Sequence, residues 1–268
     1  MSEITTEILE KEIITPGGRW VRVMSYNIQV GISSGHYRHY VTNSWKHVLP
    51  YRNRKINLQS IGNFISDFDL VGLQEVDAGS LRTGFVNQTQ FLASVAEFPH
   101  WHQKTNRNLG KIAKHSMGLL SRFPASLARH HRLPSRIPGR GALEVHIGHG
   151  ENPLVIILLH LSLSKKARMD QLQYIAGVVS THKHVVVMGD MNCPPDSDEL
   201  CLLVEQTGLQ EPLHYEHTYP SWNPISSFDH IFVTPTLEVR EIKVYRRFFS
   251  DHLPVCAQIR IPDDVGLI

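Results

Sequence analysis

Val185-Val-Val-Met-Gly-Asp-Met-Asn192 is the stretch on which the fold turns. Four β-branched or long apolar residues read as a buried strand, bounded by Gly189 and Pro194. Asp190 and Asn192 stand two apart, so at a strand end both point to one face. A buried strand that ends in Gly-Asp-x-Asn aims oxygen ligands at a metal or a phosphate. The same residues also suit a plain Asx turn, so the stretch needs its neighbours to be read.

Working outward, the chain alternates strands and helices. Trp20 to Ile28, with Val21, Val23 and Tyr26, reads as the first strand. Leu58, Ile61 and Ile65 recur at helical spacing in a helix from Arg52 to Phe68. Leu70 to Leu73 is a short apolar run leading into Gln74-Glu75, and a second helix spans Asn87 to Phe98. Met117 to Leu120 and Ala142 to Ile147 read as further strands, and Leu154 to His160 as a continuous apolar one. An amphipathic helix from Arg168 to Val179 carries Met169, Leu172, Ile175 and Val179 on one face. After the Val185 strand come a helix from Asp196 to Glu205 and strands near Ile231, Val239 and Val255. No repeat or linker divides the chain, which predicts one α/β domain with helix-covered sheets. The alternation fits a doubly wound sheet and a two-sheet sandwich equally.

Composition narrows the class. A length of 268 residues suits one large domain or two small ones. The 27 basic and 25 acidic side chains leave a net charge of +2, unlike a protein that coats nucleic acid, although a local basic groove is compatible with it. Three cysteines without a Cys-x-x-Cys pair argue against a disulfide framework and a cysteine zinc site. A reducing, cytoplasmic location is expected. The first 16 residues lack the basic flank and apolar core of a signal peptide, and the run Leu154 to Leu159 is far too short to span a bilayer. Most of the 17 histidines read as surface or satisfied core residues.

Polar residues recur where the strands end or begin. Asn27 closes the first strand, Glu75 follows the second apolar run, and His160 closes another. Asp190 and Asn192 close the Val185 strand, Asp229-His230 opens the next, and Ser250-Asp251-His252 opens the last. In α/β proteins, sites lie where strand ends meet loops. Each residue alone has an ordinary explanation as a cap or turn; together they have a chemical logic. Glu, Asp and Asn oxygens suit Mg2+ or Mn2+, which leaves the histidines free for acid–base work or phosphate binding. A zinc site would use its histidines as ligands, and no His-x-x-x-His helix is present.

The ordered set Ser25-Tyr-Asn27, Leu73-Gln-Glu75, His160-Leu-Ser-Leu, Gly189-Asp-Met-Asn192, Asp229-His-Ile and Ser250-Asp-His252 resembles the endonuclease/exonuclease/phosphatase superfamily, of DNase I-like fold. The resemblance runs from about Val21 to Val255. It implies a four-layer α/β-sandwich, two packed mixed β-sheets flanked by helices, with an N-terminal extension (residues 1–18) before a catalytic domain (19–262). It also implies metal-dependent phosphoester hydrolysis. By motif position Glu75 would be the principal metal ligand, assisted by Asn27, and Asp251 would bind a second ion or tune the first. Asp190 and Asn192 would position the attacking water and the phosphate. Asp229 would hold His252, and His160 would donate a hydrogen bond to a phosphate oxygen. Either Asp190 or His252 takes the proton of the water. The histidine form at His160 resembles the DNase, sphingomyelinase and inositol-phosphatase branches rather than the abasic-site endonucleases. Arg168 and Gln171, on one helix face, are candidates for supporting His160.

Three segments mix basic and aromatic residues: His36 to Lys55, Trp101 to His115, and the loop Arg129 to Arg140 with Arg132 and Arg136. Such segments suit phosphates and bases, or equally an anionic lipid surface. The aromatic stretch His214 to Trp222 is a candidate rim. The leading expectation is therefore a phosphodiesterase for a nucleic-acid backbone. A phospholipid or sphingomyelin phosphodiesterase or an inositol-phosphate phosphatase is the alternative within the same chemistry. A non-catalytic anion-binding module is the alternative outside it.

Overall fold

The computed structural model describes residues 18–32, 52–135, 139–212 and 216–267. The strands are β1 (Arg19–Asn27), β2 (Leu70–Asp77), β3 (His100–Asn108), β4 (Lys114–Ser121), β5 (Ala125–Arg132) and β6 (Gly141–Ile147). They continue as β7 (Leu154–His160), β8 (His184–Asp190), β9 (Asp229–Val233), β10 (Glu238–Val244) and β11 (Val255–Ile261). The helices are α1 (Arg52–Ile65), α2 (Gln88–Val95), α3 (Lys165–Val179) and α4 (Asp198–Thr207).

Side-chain alternation along the strands explains how these elements layer. In β1, Val21 and Val23 face one core while Met24 and Tyr26 face another; in β7, Ile156 and Leu158 face inward while Val155, Ile157 and Leu159 face outward. Strands apolar on both faces must be covered on both. The result is two sheets back to back. One has six strands in the order β10-β11-β1-β2-β4-β3, and the other five in the order β5-β6-β7-β8-β9. The inner core joins Val21, Val23 and Val255 of the first to Ile156, Leu158 and Met188 of the second. Leu58, Ile61 and Leu92 of α1 and α2 cover the first sheet's outer face. Leu172, Ile175 and Leu203 of α3 and α4 cover the second's. This is the four-layer sandwich, and it decides between the two architectures that the alternation allowed.

Both sheets are mixed. β1 runs parallel to β2 and β7 parallel to β8, each pair linked through a helix, while their other neighbours are antiparallel. The sheets approach closely at Gly72 of β2, where a Cβ would lie 2.6 Å from Leu158 Cδ1 and 2.7 Å from Met188 Cε. Among the described residues no helix is long and apolar enough to cross a membrane.

Several boundaries differ from expectation. The second helix is shorter than Asn87 to Phe98. Asn87 is its N-cap, accepting from the Gln90 N–H, and the helix ends at Val95. The fourth helix begins at Asp198 rather than Asp196, after a Ser197 N-cap residue. Two segments read as basic loops are edge strands: Trp101 lies in β3 and Arg129 to Arg132 lies in β5. Edge strands carry charges on their solvent face, which hides the apolar alternation. Of the remaining basic and aromatic stretches, residues 36–51, Arg136 and His214-Tyr215 lie outside the described residues.

Candidate active site

The strand ends converge across the gap between the sheets. Asn27 closes β1 and Glu75 lies in β2, while Asp251 and His252 precede β11, all on the six-stranded sheet. His160, Asp190 and Asp229 come from β7, β8 and β9 of the other, with His160 paired to Asp190 and Asp190 to Asp229 in register. The Asn27 amide bridges the halves, donating from Nδ2 to Asp190 Oδ2 at 3.0 Å and to Glu75 Oε1 at 3.4 Å. Its Oδ1 accepts the Gln29 N–H at 3.1 Å, which fixes the amide orientation.

Local backbone aims the two central carboxylates. Glu75 has φ 53°, left-handed and unusual for this residue, at a register shift between β2 and β4. Bulges of this kind re-aim a side chain beside a site. Before Asp190, Gly189 has φ 147°, and a Cβ there would press into the Leu159 carbonyl oxygen of β7. Glycine is therefore required where the β8 strand delivers its aspartate. Asn192, at φ 54°, closes the turn. Its N–H donates to Asp190 Oδ1 at 3.0 Å and its Nδ2 to the Leu161 carbonyl at 2.9 Å.

Two imidazoles flank Asp190 Oδ2, His160 Nε2 at 3.6 Å and His252 Nε2 at 3.7 Å. His160 Nε2 also stands 4.0 Å from Glu75 Oε1. Their electrostatics differ. Burial, helped by the nearby Arg140 charge and opposed by Asp190, lowers the His160 pKa to about 3, which favours the neutral imidazole. Burial also works against a charged His252, but Asp229 and Asp190 outweigh it and hold that imidazole well above its ordinary value. Asp229 Oδ2 accepts from His252 Nδ1 at 2.8 Å, and the Tyr219 ring packs against the imidazole at 4.8 Å.

Burial lifts the Asp251 carboxyl to about 6, with the charges of Glu75 and Asp190 adding and His252 opposing. A buried carboxylate crowded by two others gains from a cation. The donors are hard oxygens, so Glu75 and Asp251, with Asp190 beside them, fit Mg2+ or Mn2+. Asp190, Asp229 and His252 also cluster closely enough for an ion. Within that trio His252 Nδ1 is already engaged by Asp229 through a direct hydrogen bond.

A cavity of about 870 Å³ opens onto Glu75 and His160, and Arg107, His115, Arg140 and Lys166 line its walls. Arg107, His115 and Arg140 belong to two of the basic segments expected to meet phosphates, whereas Lys166 had no expected role. Arg140, between Gly139 and Gly141, donates toward the His160 carbonyl at 3.5 Å. His115 reaches the site because β4 pairs it with Asp77 beyond Glu75. A single arginine between glycines at a strand start was the available signal for Arg140. Arg168 and Gln171 do support this end of β7. Gln171 Oε1 accepts the Ser162 N–H at 3.0 Å and its Nε2 donates to Ser162 Oγ at 2.9 Å, while Arg168 pairs with the buried Glu199 at 2.7 Å.

Two mixed sheets meeting at a cluster of carboxylates and imidazoles define the class, a DNase I-like α/β-sandwich. The family model of the endonuclease/exonuclease/phosphatase family matches residues 24–252, and this chain belongs to that family. Solved structures agree on the fold. A family protein from Bacteroides thetaiotaomicron superposes with a TM-score of 0.71 at 16% identity, covering 91% of this chain and 98% of that one. The mannosyl-6-phosphatase of the same organism gives 0.68 at 17%, covering 89% and 99%. Sphingomyelinase C from Streptomyces griseocarneus gives 0.62 at 15%, covering 91% and 99%. No curated protein matches the sequence.

Proposed function

We propose that the chain is a divalent-metal-dependent phosphoesterase that hydrolyses a compact phosphate ester. The cation-lined cavity carries this reading, because it ends on Glu75 and His160 with Arg107, Arg140 and Lys166 around it. A Mg2+ or Mn2+ held by Glu75 and Asp251 would supply Lewis-acid stabilisation of charge on the phosphoryl oxygens. The remaining roles belong to the chain. Neutral His160 donates its Nε2–H to a phosphoryl oxygen, and Arg140 adds a fixed positive charge nearby. Both act where negative charge develops, and losing one such donor typically costs about 100- to 1000-fold. His252, kept protonated by Asp229, is poised as a donor, which leaves Asp190 Oδ2 to accept the proton of the attacking water. Asn27 and Asn192 hold that carboxylate in place from opposite sides.

Hydrolysis of a nucleic-acid backbone, first from sequence, becomes the second reading. Its support is the edge strand β3, where the exposed Trp101 and basic neighbours could meet a polyanion. The named relatives lend support to compact substrates, since one is a sugar-phosphate phosphatase and another a sphingomyelinase. The test is hydrolysis of p-nitrophenyl phosphate, its bis-ester, a sugar 6-phosphate, sphingomyelin and DNA, with Mg2+ or Mn2+ and with chelator. Metal-dependent turnover that vanishes in Asp190→Asn supports the reaction, and the preferred substrate sets the class. Equal turnover in Asp190→Asn would remove the assignment.

A further inference from the structure

Outside that cavity, on the helix-covered face of the five-stranded sheet, a second cluster converges on Glu144. We infer that Glu144, His146 and His182 form a binding site for Zn2+ or a chemically similar transition-metal ion, distinct from the phosphoester site. Glu144 and His146 stand two apart on β6, so both project to one face. That face is the outer one, since Glu144 pairs with Ile157, part of the core under α3. His182 comes from the turn after α3, its N–H tied to the Val179 carbonyl at 3.0 Å. No helical His-x-x-x-His pattern is involved, which is why the sequence concealed the site.

The donor atoms suit one ion. His146 Nε2 contacts Glu144 Oε1 directly, and His182 Nε2 stands 3.7 Å from the same oxygen. All three donor atoms lie within 4.8 Å of one another. Donors on a tetrahedral ion with bonds of about 2.0–2.2 Å are about 3.3–3.6 Å apart, so His182 is already near its place and the His146–Glu144 contact must open to admit the ion. The His182 ring makes no hydrogen bond to another described residue, so its Nε2 points at Oε1 beyond hydrogen-bond reach. The two imidazole planes are nearly perpendicular, at 87°.

Surrounding groups fit this role. His131 Nε2 binds the other carboxylate oxygen, Oε2, at 2.6 Å, and its Nδ1 meets the Tyr174 hydroxyl at 2.9 Å. That chain fixes the carboxylate as outer partners of metal ligands do. The hydrogen bond from His131 holds Oε2 and leaves Oε1 facing His146 and His182. Arg129 reaches Oε1 at 3.5 Å, but from an exposed side chain free to turn away. A borderline-soft ion with nitrogen ligands is therefore favoured over Mg2+.

Zn2+ titration of the metal-free protein tests this, by calorimetry and by the visible absorption of Co2+. The Glu75→Ala protein serves as background to weaken ions at the phosphoester centre, and only Zn2+ binding that His182→Ala removes is counted for the Glu144 site. One equivalent of Zn2+ should bind this background protein and raise its melting temperature. Adding His182→Ala, at a half-exposed turn, should weaken binding by more than about 100-fold and abolish the shift, and Glu144→Gln should do the same. Absence of Zn2+ binding to Glu75→Ala protein, or equal binding after His182→Ala, would leave only a hydrogen-bonded ion-pair cluster and overturn the site. Neither result depends on whether the chain hydrolyses phosphate esters.

Discussion

Asp229 and His252 form one unit across the two sheets. Nδ1 of the imidazole donates to Oδ2 of a carboxylate that no solvent reaches, at 2.8 Å. Asp229→Asn keeps the shape but removes the charge that sustains the imidazolium. The turnover of the best substrate should fall by about 100- to 10,000-fold, the usual worth of acid–base assistance. The His252 imidazole should also titrate lower by NMR. Unchanged turnover would take the pair out of the chemistry.

Arg140 is expected to act on both the substrate and His160. Arg140→Met should lower kcat/KM by roughly 100-fold. Because the guanidinium helps depress the His160 pKa, the same variant should raise it. A loss of activity with His160 unmoved would instead indicate damage to the cavity wall.

The buried Asp77–Arg82 pair, 2.6 Å apart, predicts a pH signature in stability. Burial alone would raise the Asp77 pKa, but hydrogen bonds from Arg82, the Lys114 N–H and Ser80 bring it below the ordinary value. The group therefore contributes stability above the unfolded carboxyl pKa of about 3.9, and loses it as pH falls through the folded value. Urea denaturation between neutral and acidic pH should show that decline. Arg82→Met should cost about 3–5 kcal/mol at neutral pH by leaving the carboxylate unpaired, and should flatten the acid limb. An acid limb as steep in the variant as in the parent would assign the decline to other groups.

Gly189→Ala places a methyl against the Leu159 carbonyl in a backbone region that alanine avoids. A loss of at least about 3 kcal/mol in urea unfolding is expected, together with displacement of Asp190. A midpoint close to that of the parent would show that β7 and β8 can separate at little cost.

What the sequence disclosed follows from which faces are buried. β7 and β8 are apolar on both faces, so their ends, and with them His160 and Asp190, were readable. Asn27, Glu75, Asp229, Asp251 and His252 were placed by their motifs at strand ends, and the structure brings them together. β3 and β5 were missed because a largely exposed edge strand shows no apolar alternation, as in Arg129-His-His-Arg132. The left-handed Glu75 follows from a register shift between paired strands, which no local pattern encodes. Arg140 and His115 are remote in the chain, and only sheet pairing brings them to the cavity. The Glu144 cluster was hidden for the same reason, since β6 and the turn after α3 supply it from distant parts of the chain.

The two parallel strand pairs have a consequence for how this molecule would fail. β1–β2 delivers Asn27 and Glu75, while β7–β8 delivers His160 and Asp190, and neither pair holds the complete set. Hydrogen bonds from Asn27 to Asp190 and from His252 to Asp229 join them only when the sheets are docked. A partly unfolded chain with both halves intact but slipped apart would keep its circular dichroism and lose its chemistry. Enzymatic rate would then be a finer gauge of tertiary docking than any measure of secondary structure.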